Sequence, residues 1–325
     1  MNIVQDLEER AAKLNRTVVL PETEDGRVIR AAAAILEKNS CDLILVGNRE
    51  SIDGSKPDLQ SDRLQIRSWN SEPDPDKYLD YLQMRLERKA LTRKEADRML
   101  EDPLIYAGAL VALNEADAAV AGSVATTASV IQAGIYTIGV HPGSKLVSSV
   151  FLMVLPDGKS MTYTDCAVVP YPDSEQLASI AIDAGDTHQK LTGTEPRIAF
   201  LSFSTHGSAK HERVDLVREA VIEARSLNKG WVMDGELQFD SAYVPEIARK
   251  KAPESELQGE ANVFVFPNLD AGNIAYKITE RLAGAQATGP ILQGMKKPYL
   301  DLSRGCTAED IEAAVHVACV LSGPG

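Results

Sequence analysis

The chain has 325 residues, 44% hydrophobic and 25% charged, with 34 Lys and Arg against 47 Asp and Glu for a net charge of −13. This composition excludes a largely disordered chain, and the acidic balance argues against nucleic-acid binding through phosphate neutralisation. No apolar run reaches the roughly 18 residues of a membrane span, no signal peptide is read at the N-terminus, and Cys41, Cys166, Cys306 and Cys319 form no C-x-x-C, so reduced thiols in a cytoplasmic protein are expected.

In chain order, Thr17 to Leu20 (TVVL) predicts a strand, Val28 to Lys38 a helix and Asp42 to Val46 (DLILV) a second strand. Gln65 to Trp69 predicts a third strand. Tyr78 to Met99 predicts a helix in two pieces, restarting at Thr92, where Thr92-x-x-Glu95 has capping-box spacing. Ala118 to Ala121 is a short buried strand. Val147 to Leu155 and Met161 to Thr164 flank Pro156-Asp157-Gly158-Lys159 and predict a hairpin. Then follow a helix over Glu175 to Lys190, a strand over Arg197 to Phe203, a helix over Lys210 to Leu227 and a strand over Trp231 to Met233. The rest predicts a helix over Val244 to Lys251, a strand over Asn262 to Phe266, a helix over Asn273 to Ala283, a strand near Ala287 to Leu292 and a last helix over Thr307 to Leu321. Strands alternating with helices predict an α/β fold with mainly parallel sheets. The change from βα units to a hairpin places a domain change near Val147.

In open α/β sheets ligands gather at the carboxyl ends of strands. Four loops are rich in Gly, hydroxyl and Asn or Asp residues: Ala121 to Thr127, Ser202 to Lys210, Phe266 to Asn273 and Gly289 to Gly305. Backbone N–H groups at helix starts beside hydroxyls suit a phosphate, which makes Thr126, Thr127, Ser202 and Ser204 candidate donors. Ordinary turn and N-cap chemistry accounts for the same residues. No P-loop, G-x-G-x-x-G or G-x-S-x-G is present, and His211-Glu212-Arg213-Val214-Asp215 falls short of H-E-x-x-H, so no metal ligand is assigned.

The most specific local stretch is Asp301 to Asp310, DLSRGCTAED. Ser303 is suited to stabilise an oxyanion, Arg304 to grip a phosphate and Asp310 to act as a base. The competing account is a capping box, Thr307-x-x-Asp310.

Taken in order, VVLPE from Val18, AGSVATTA from Ala121, PGSKLVSSVFLM from Pro142, DCAV from Asp165, EPRIAFLSFSTHGSA, DGELQFD, NVFVFPNLDAGNIAYKI, GPILQGMKKP and DLSRGCTAEDI resemble the phosphate acetyltransferase family over essentially the whole chain. The resemblance implies two three-layer α/β domains of the isocitrate/isopropylmalate dehydrogenase type with the active site in the interdomain cleft. Residues 1–145 with 295–325 would form a discontinuous first domain and 146–294 the second. The implied reaction is reversible acetyl transfer between acetyl phosphate and coenzyme A, with inorganic phosphate as co-product, no cofactor beyond CoA as substrate, and a homodimer as the assembly. By motif, Ser303 stabilises the tetrahedral transition state, Asp310 deprotonates the thiol, Arg304 binds the phosphoryl or carbonyl group and Arg281 supports anion or CoA binding. Departures from the family pattern are Gln132, where an Arg is usual, Val169 for Asn, Tyr171 near an acidic position and Thr23 for Gly, while Arg85 and Arg88 flank the place of another expected Arg; Gln132 and Arg85 are taken with the others as substrate- or CoA-binding candidates. Alternatives are a propionyl- or butyryl-preferring enzyme, or a non-catalytic acyl-CoA-binding regulatory protein.

On magnitudes, a CoA-like thiol of pKa near 8.5 is about 3% thiolate at pH 7. An ordinary aspartate is roughly 4.6 units too acidic to hold that proton, or about 6 kcal/mol. A carboxylate base therefore works either when burial raises its pKa or when proton transfer accompanies attack.

Overall fold

The computed structural model describes residues 3–48, 52, 59–227 and 230–323. The chain divides into two compact units, Met1–His141 with Met295–Gly325, and Pro142–Gly294.

In the first unit, helix α1 (Ile3–Leu14) precedes β1 (Thr17–Leu20), α2 (Gly26–Lys38), β2 (Asp42–Val46) and β3 (Leu64–Arg67). The β-branched and Leu side chains of β1 and β2 are almost wholly buried, as both faces of a parallel sheet require. Asp25 caps α2 by accepting from the Arg27 N–H, and Asn39 ends it in the left-handed conformation. Helices α3 (Pro75–Arg85) and α4 (Arg93–Leu100) are the two pieces expected, and the Thr92–Glu95 capping box forms. Helix α5 (Pro103–Ala112) is not anticipated by periodicity: eight of its ten residues are buried, so no polar face interrupts the apolar run. Strand β4 (Ala118–Ala121) and helix α6 (Thr127–Thr137) follow.

The second unit opens with the expected hairpin, β5 (Ser148–Val154) antiparallel to β6 (Ser160–Thr164). Helix α7 (Ser174–Thr192) starts at an Asp173–Gln176 capping box. Its His188 is buried, with Nδ1 2.9 Å from Thr162 Oγ1 and Nε2 2.9 Å from Thr194 Oγ1. Burial lowers the His188 pKa to about 4, so it is a neutral core residue. Strand β7 (Arg197–Leu201), α8 (Glu212–Leu227), β8 (Val232–Leu237), α9 (Phe239–Tyr243), α10 (Pro245–Lys251), β9 (Val263–Val265), α11 (Leu269–Ala283) and β10 (Gln286–Gln293) complete it. The sheet order is β10-β5-β6-β9-β7-β8, parallel from β6 onward and antiparallel at β10 and β5.

The chain then returns to the first unit. Strand β11 (Tyr299–Asp301) lies inside the stretch expected to be one long loop, and helix α12 (Ala308–Leu321) closes the fold. The first sheet is parallel throughout, in the order β11-β4-β1-β2-β3. Among the described residues no helix is long and apolar enough to cross a membrane.

Candidate active site

In the first unit the chain leaves β1 through Pro21 and delivers Glu22 into the loop after β4. Glu22 is 4% exposed. Its Oε2 accepts from the N–H groups of Gly122 and Ser123 at 2.7 and 2.8 Å and from Ser123 Oγ at 3.0 Å. Its Oε1 accepts from the Val124 and Ala125 N–H groups at 3.1 and 2.6 Å. The loop is an anion cradle, as its composition suggests, but the anion in it is the protein's own carboxylate. The hydroxyls of the same loop are also engaged. Thr126 caps α6, accepting from the Ser129 N–H at 3.2 Å, and Thr127 Oγ1 donates to Asp301 Oδ2 at 2.6 Å.

Strand β11 pairs beside β4 with Asp301 opposite Ala121, which brings the following loop against this cradle. Asp301 is 3% exposed and its Oδ1 has no hydrogen-bond partner among the described residues. Burial, with the nearby Glu22 charge adding, pushes its pKa up to about 6 against the bond from Thr127. Two residues on, Ser303 and Arg304 are exposed. Ser303 Oγ accepts weakly from the Gly305 N–H at 3.3 Å, and its carbonyl accepts from the Cys306 N–H at 2.9 Å, which closes a tight turn.

Arg27, at the start of α2, fixes this turn from beneath. Its Nη1 donates to the carbonyls of Arg304 and Cys306, both at 2.8 Å, and its Nη2 donates to the Ser123 carbonyl at 2.8 Å. Asp25 holds the guanidinium through both carboxylate oxygens. At the entrance to α12 the capping box anticipated as the competing account is present: the Thr307 N–H donates to Asp310 Oδ2 at 2.9 Å and the Asp310 N–H to Thr307 Oγ1 at 3.2 Å. Asp310 is exposed all the same. Capping uses one lone pair of one oxygen and leaves Oδ1 free of any such bond among the described residues.

Arg85 lies against the C-terminal end of α6. Its Nη2 donates to the Ile135 carbonyl at 3.2 Å, and its guanidinium occupies the space that a Cβ at Gly139 would need. Gln132 lies exposed on α6. A hollow of about 380 Å³ opens at the carboxyl ends of β1 to β3, bordered by Glu24, Trp69, Glu101 and Tyr106. With no basic side chain among its described lining residues, it does not suit an anion.

The second unit repeats the device of the first. Glu236, 1% exposed, accepts from Ser204 Oγ and the Gly207 N–H at 2.8 Å each and from Arg218 Nε at 2.6 Å. Burial opposes its ionisation, but these donors hold its pKa below the usual range. Ser204 is therefore buried and turned to Glu236, while Ser202 Oγ accepts from the Ser204 N–H at 3.3 Å. Asp165 fills a third turn, accepting from Ser149 Oγ and from the N–H groups of Ala167, Val168 and Val169. The Tyr171 hydroxyl bonds Asp270 Oδ2 at 2.9 Å. Arg281, in the last turn of α11, has a side chain 79% exposed, with its Nε 3.6 Å from Glu280 Oε2.

The structure thus gathers Ser303, Arg304 and Asp310 on one turn and helix start, and Ser202 with Ser204 in one loop of the other unit. Sequence reasoning overlooks Glu22, Asp25, Arg27 and Glu236. Glu22 follows β1 directly in the VLPE stretch, and a carboxylate just beyond a parallel strand was the available signal.

The family model described as "Phosphate acetyl/butaryl transferase" matches residues 2–319. The chain is 42% identical over 326 residues to a phosphate acetyltransferase of Acetivibrio thermocellus, covering 98% of both chains. It is 40% identical to one of Thermoanaerobacterium thermosaccharolyticum, covering 98% of this chain and 99% of the other. A phosphotransacetylase crystal structure from Streptococcus pyogenes superposes with a TM-score of 0.94 at 38% identity, covering 98% of each chain. A likeness that runs over residues 2–319 makes this protein an acyltransferase of the phosphate acetyltransferase family, with Ser303 and Arg304 of its motif exposed on one braced turn and Asp310 at the helix start after it.

Proposed function

We propose that the chain transfers an acetyl group reversibly between acetyl phosphate and coenzyme A by direct attack, with both substrates bound together. The observation that carries this reading is the exposed Ser303–Arg304 pair on a turn braced by Arg27, followed by Asp310 in the first turn of α12. The CoA sulfur forms a bond to the acetyl carbon while the carbon–oxygen bond to phosphate breaks, and phosphate leaves with that electron pair. The thiol proton goes to Asp310. Transfer of that proton accompanies attack. Ser303 donates to the carbonyl oxygen as charge develops there, and Arg304 pairs with the phosphoryl group. Phosphate is a good leaving group, so no acyl-enzyme is required, and Cys166, buried with its thiol pKa pushed up by desolvation, is not an acyl carrier.

Thioester formation from acetyl phosphate plus CoA tests the reading, with butyryl phosphate as the control. Ser303→Ala and Asp310→Ala are each expected to cost about 10²–10³-fold in kcat. Preferential use of butyryl phosphate would favour the longer-chain alternative. No turnover by folded, CoA-binding protein would leave the regulatory one.

A homodimer and a cytoplasmic location belong to the same proposal. Ile274, Ile278 and Leu282 are 58%, 52% and 83% exposed at four-residue intervals along α11, an apolar stripe of the kind a second copy would cover. Light scattering of Ile278→Glu checks it: a monomer is expected, and an unchanged dimer would place the interface elsewhere.

A further inference from the structure

In the first unit α1 and α12 lie against each other, and α12 also packs on α2. Where they meet, Glu8 of α1 and Glu312 and His316 of α12 bring one ligand atom each to within 4.8 Å of one another. Glu312 and His316 are four apart on one helical face, the spacing that points two side chains at a common centre. His316 is 2% exposed, and its Nε2 is buried with no hydrogen-bond partner among the described residues. A buried imidazole nitrogen without a partner is costly unless something is bound there.

The cation now between the carboxylates is Lys38, whose Nζ lies 2.5 Å from Glu312 Oε1 and 3.4 Å from Glu8 Oε1. It answers both carboxylates but leaves His316 unanswered. Its side chain is 44% exposed, so it can turn out to solvent. A divalent ion in its place would bond all three groups. Two carboxylates and a neutral imidazole balance its charge and suit a borderline first-row ion. Ligands of such an ion lie roughly 3.5 Å apart at bond lengths of about 2.0–2.2 Å, which asks for side-chain adjustments of about 1 Å.

We propose that Glu8, Glu312 and His316 form a binding site for a zinc-class divalent metal ion, entered by displacement of Lys38, with water completing the coordination. Burial lowers the His316 pKa, which keeps the imidazole neutral and able to donate its lone pair at pH 7.

Cobalt(II) titrated into the metal-free full chain provides the test, read by visible d–d absorption. One equivalent is expected to bind with nitrogen- and oxygen-type bands and to be displaced by zinc. Glu8→Gln, Glu312→Gln and His316→Gln are each expected to weaken binding ~10-fold or more. Lys38→Met should tighten it roughly fivefold, since it removes the resident cation. No uptake, thiolate charge-transfer bands, or uptake unchanged in Glu8→Gln and His316→Gln would overturn the site. The Glu8 change sits on the more exposed side, so loss of metal there cannot be blamed on an unfolded core.

Discussion

The Nη1 of Arg27 and the carbonyl oxygen of Arg304 are 2.8 Å apart across 277 positions of sequence. With the bonds to Cys306 and Ser123, that guanidinium fixes the turn carrying Ser303 relative to the loop after β4. Lysine keeps the charge but not the planar fork. Arg27→Lys is therefore expected to lower kcat ~10- to 100-fold, with CoA KM changing far less, because the turn shifts without losing a substrate contact. Steady-state kinetics with each substrate varied would show the split. A change confined to KM would place Arg27 in substrate binding instead.

Glu22 accepts from all four backbone N–H groups of the Gly122–Ala125 turn. Glutamine replaces one acceptor oxygen by a donor that faces backbone donors. Glu22→Gln is expected to lose about 2–4 kcal/mol of stability by urea unfolding, more than a surface substitution costs.

Gly122 has φ of +107°, and a Cβ there would come to 2.7 Å from the Leu302 N and closer still to Asp301 Oδ1. Gly122→Ala meets both an unfavourable backbone region and a collision with the segment leading to Ser303. The expected cost is about 2–4 kcal/mol in unfolding together with reduced turnover. A variant as stable and active as the parent would show that β11 shifts freely.

Asp301 supplies a pH test. Its folded pKa of about 6 lies above the ordinary 3.8, so folding favours the protonated form. The resulting penalty on stability is full above about pH 6 and is relieved as pH falls toward 4. Asp301→Asn is therefore expected to be more stable than the parent at pH 8, by roughly 1–3 kcal/mol, with the advantage shrinking below pH 6. Paired denaturation curves at pH 8 and pH 5 would show it. An equal difference at both would mean that Asp301 does not titrate.

What could be read from sequence was local. The hairpin around Pro156–Lys159 and the caps at Thr92 and Thr307 depend on neighbours a few positions away. Helix α5 could not be read by periodicity because it is apolar all round. Strand β11 is three residues long and owes its form to β4, far away in sequence. The site divides the same way. Ser303, Arg304 and Asp310 stand in one short stretch, whereas Glu22 meets its partners about 100 positions further on. Loop composition pointed to phosphate in four loops and gave no indication that Glu22 and Glu236 lie in two of them.

Those tethered carboxylates have a consequence for turnover. A loop wrapped around free phosphate would lose its template each time product departed and would have to be rebuilt for the next substrate. A loop wrapped around a side chain of its own unit keeps its shape when the site is empty. Its ordering entropy is settled once, during folding, and does not recur with every cycle. In the proposed reaction, substrates would then have to order only the exposed groups at the rim, Ser303, Arg304 and Asp310, against a backbone that is already in place.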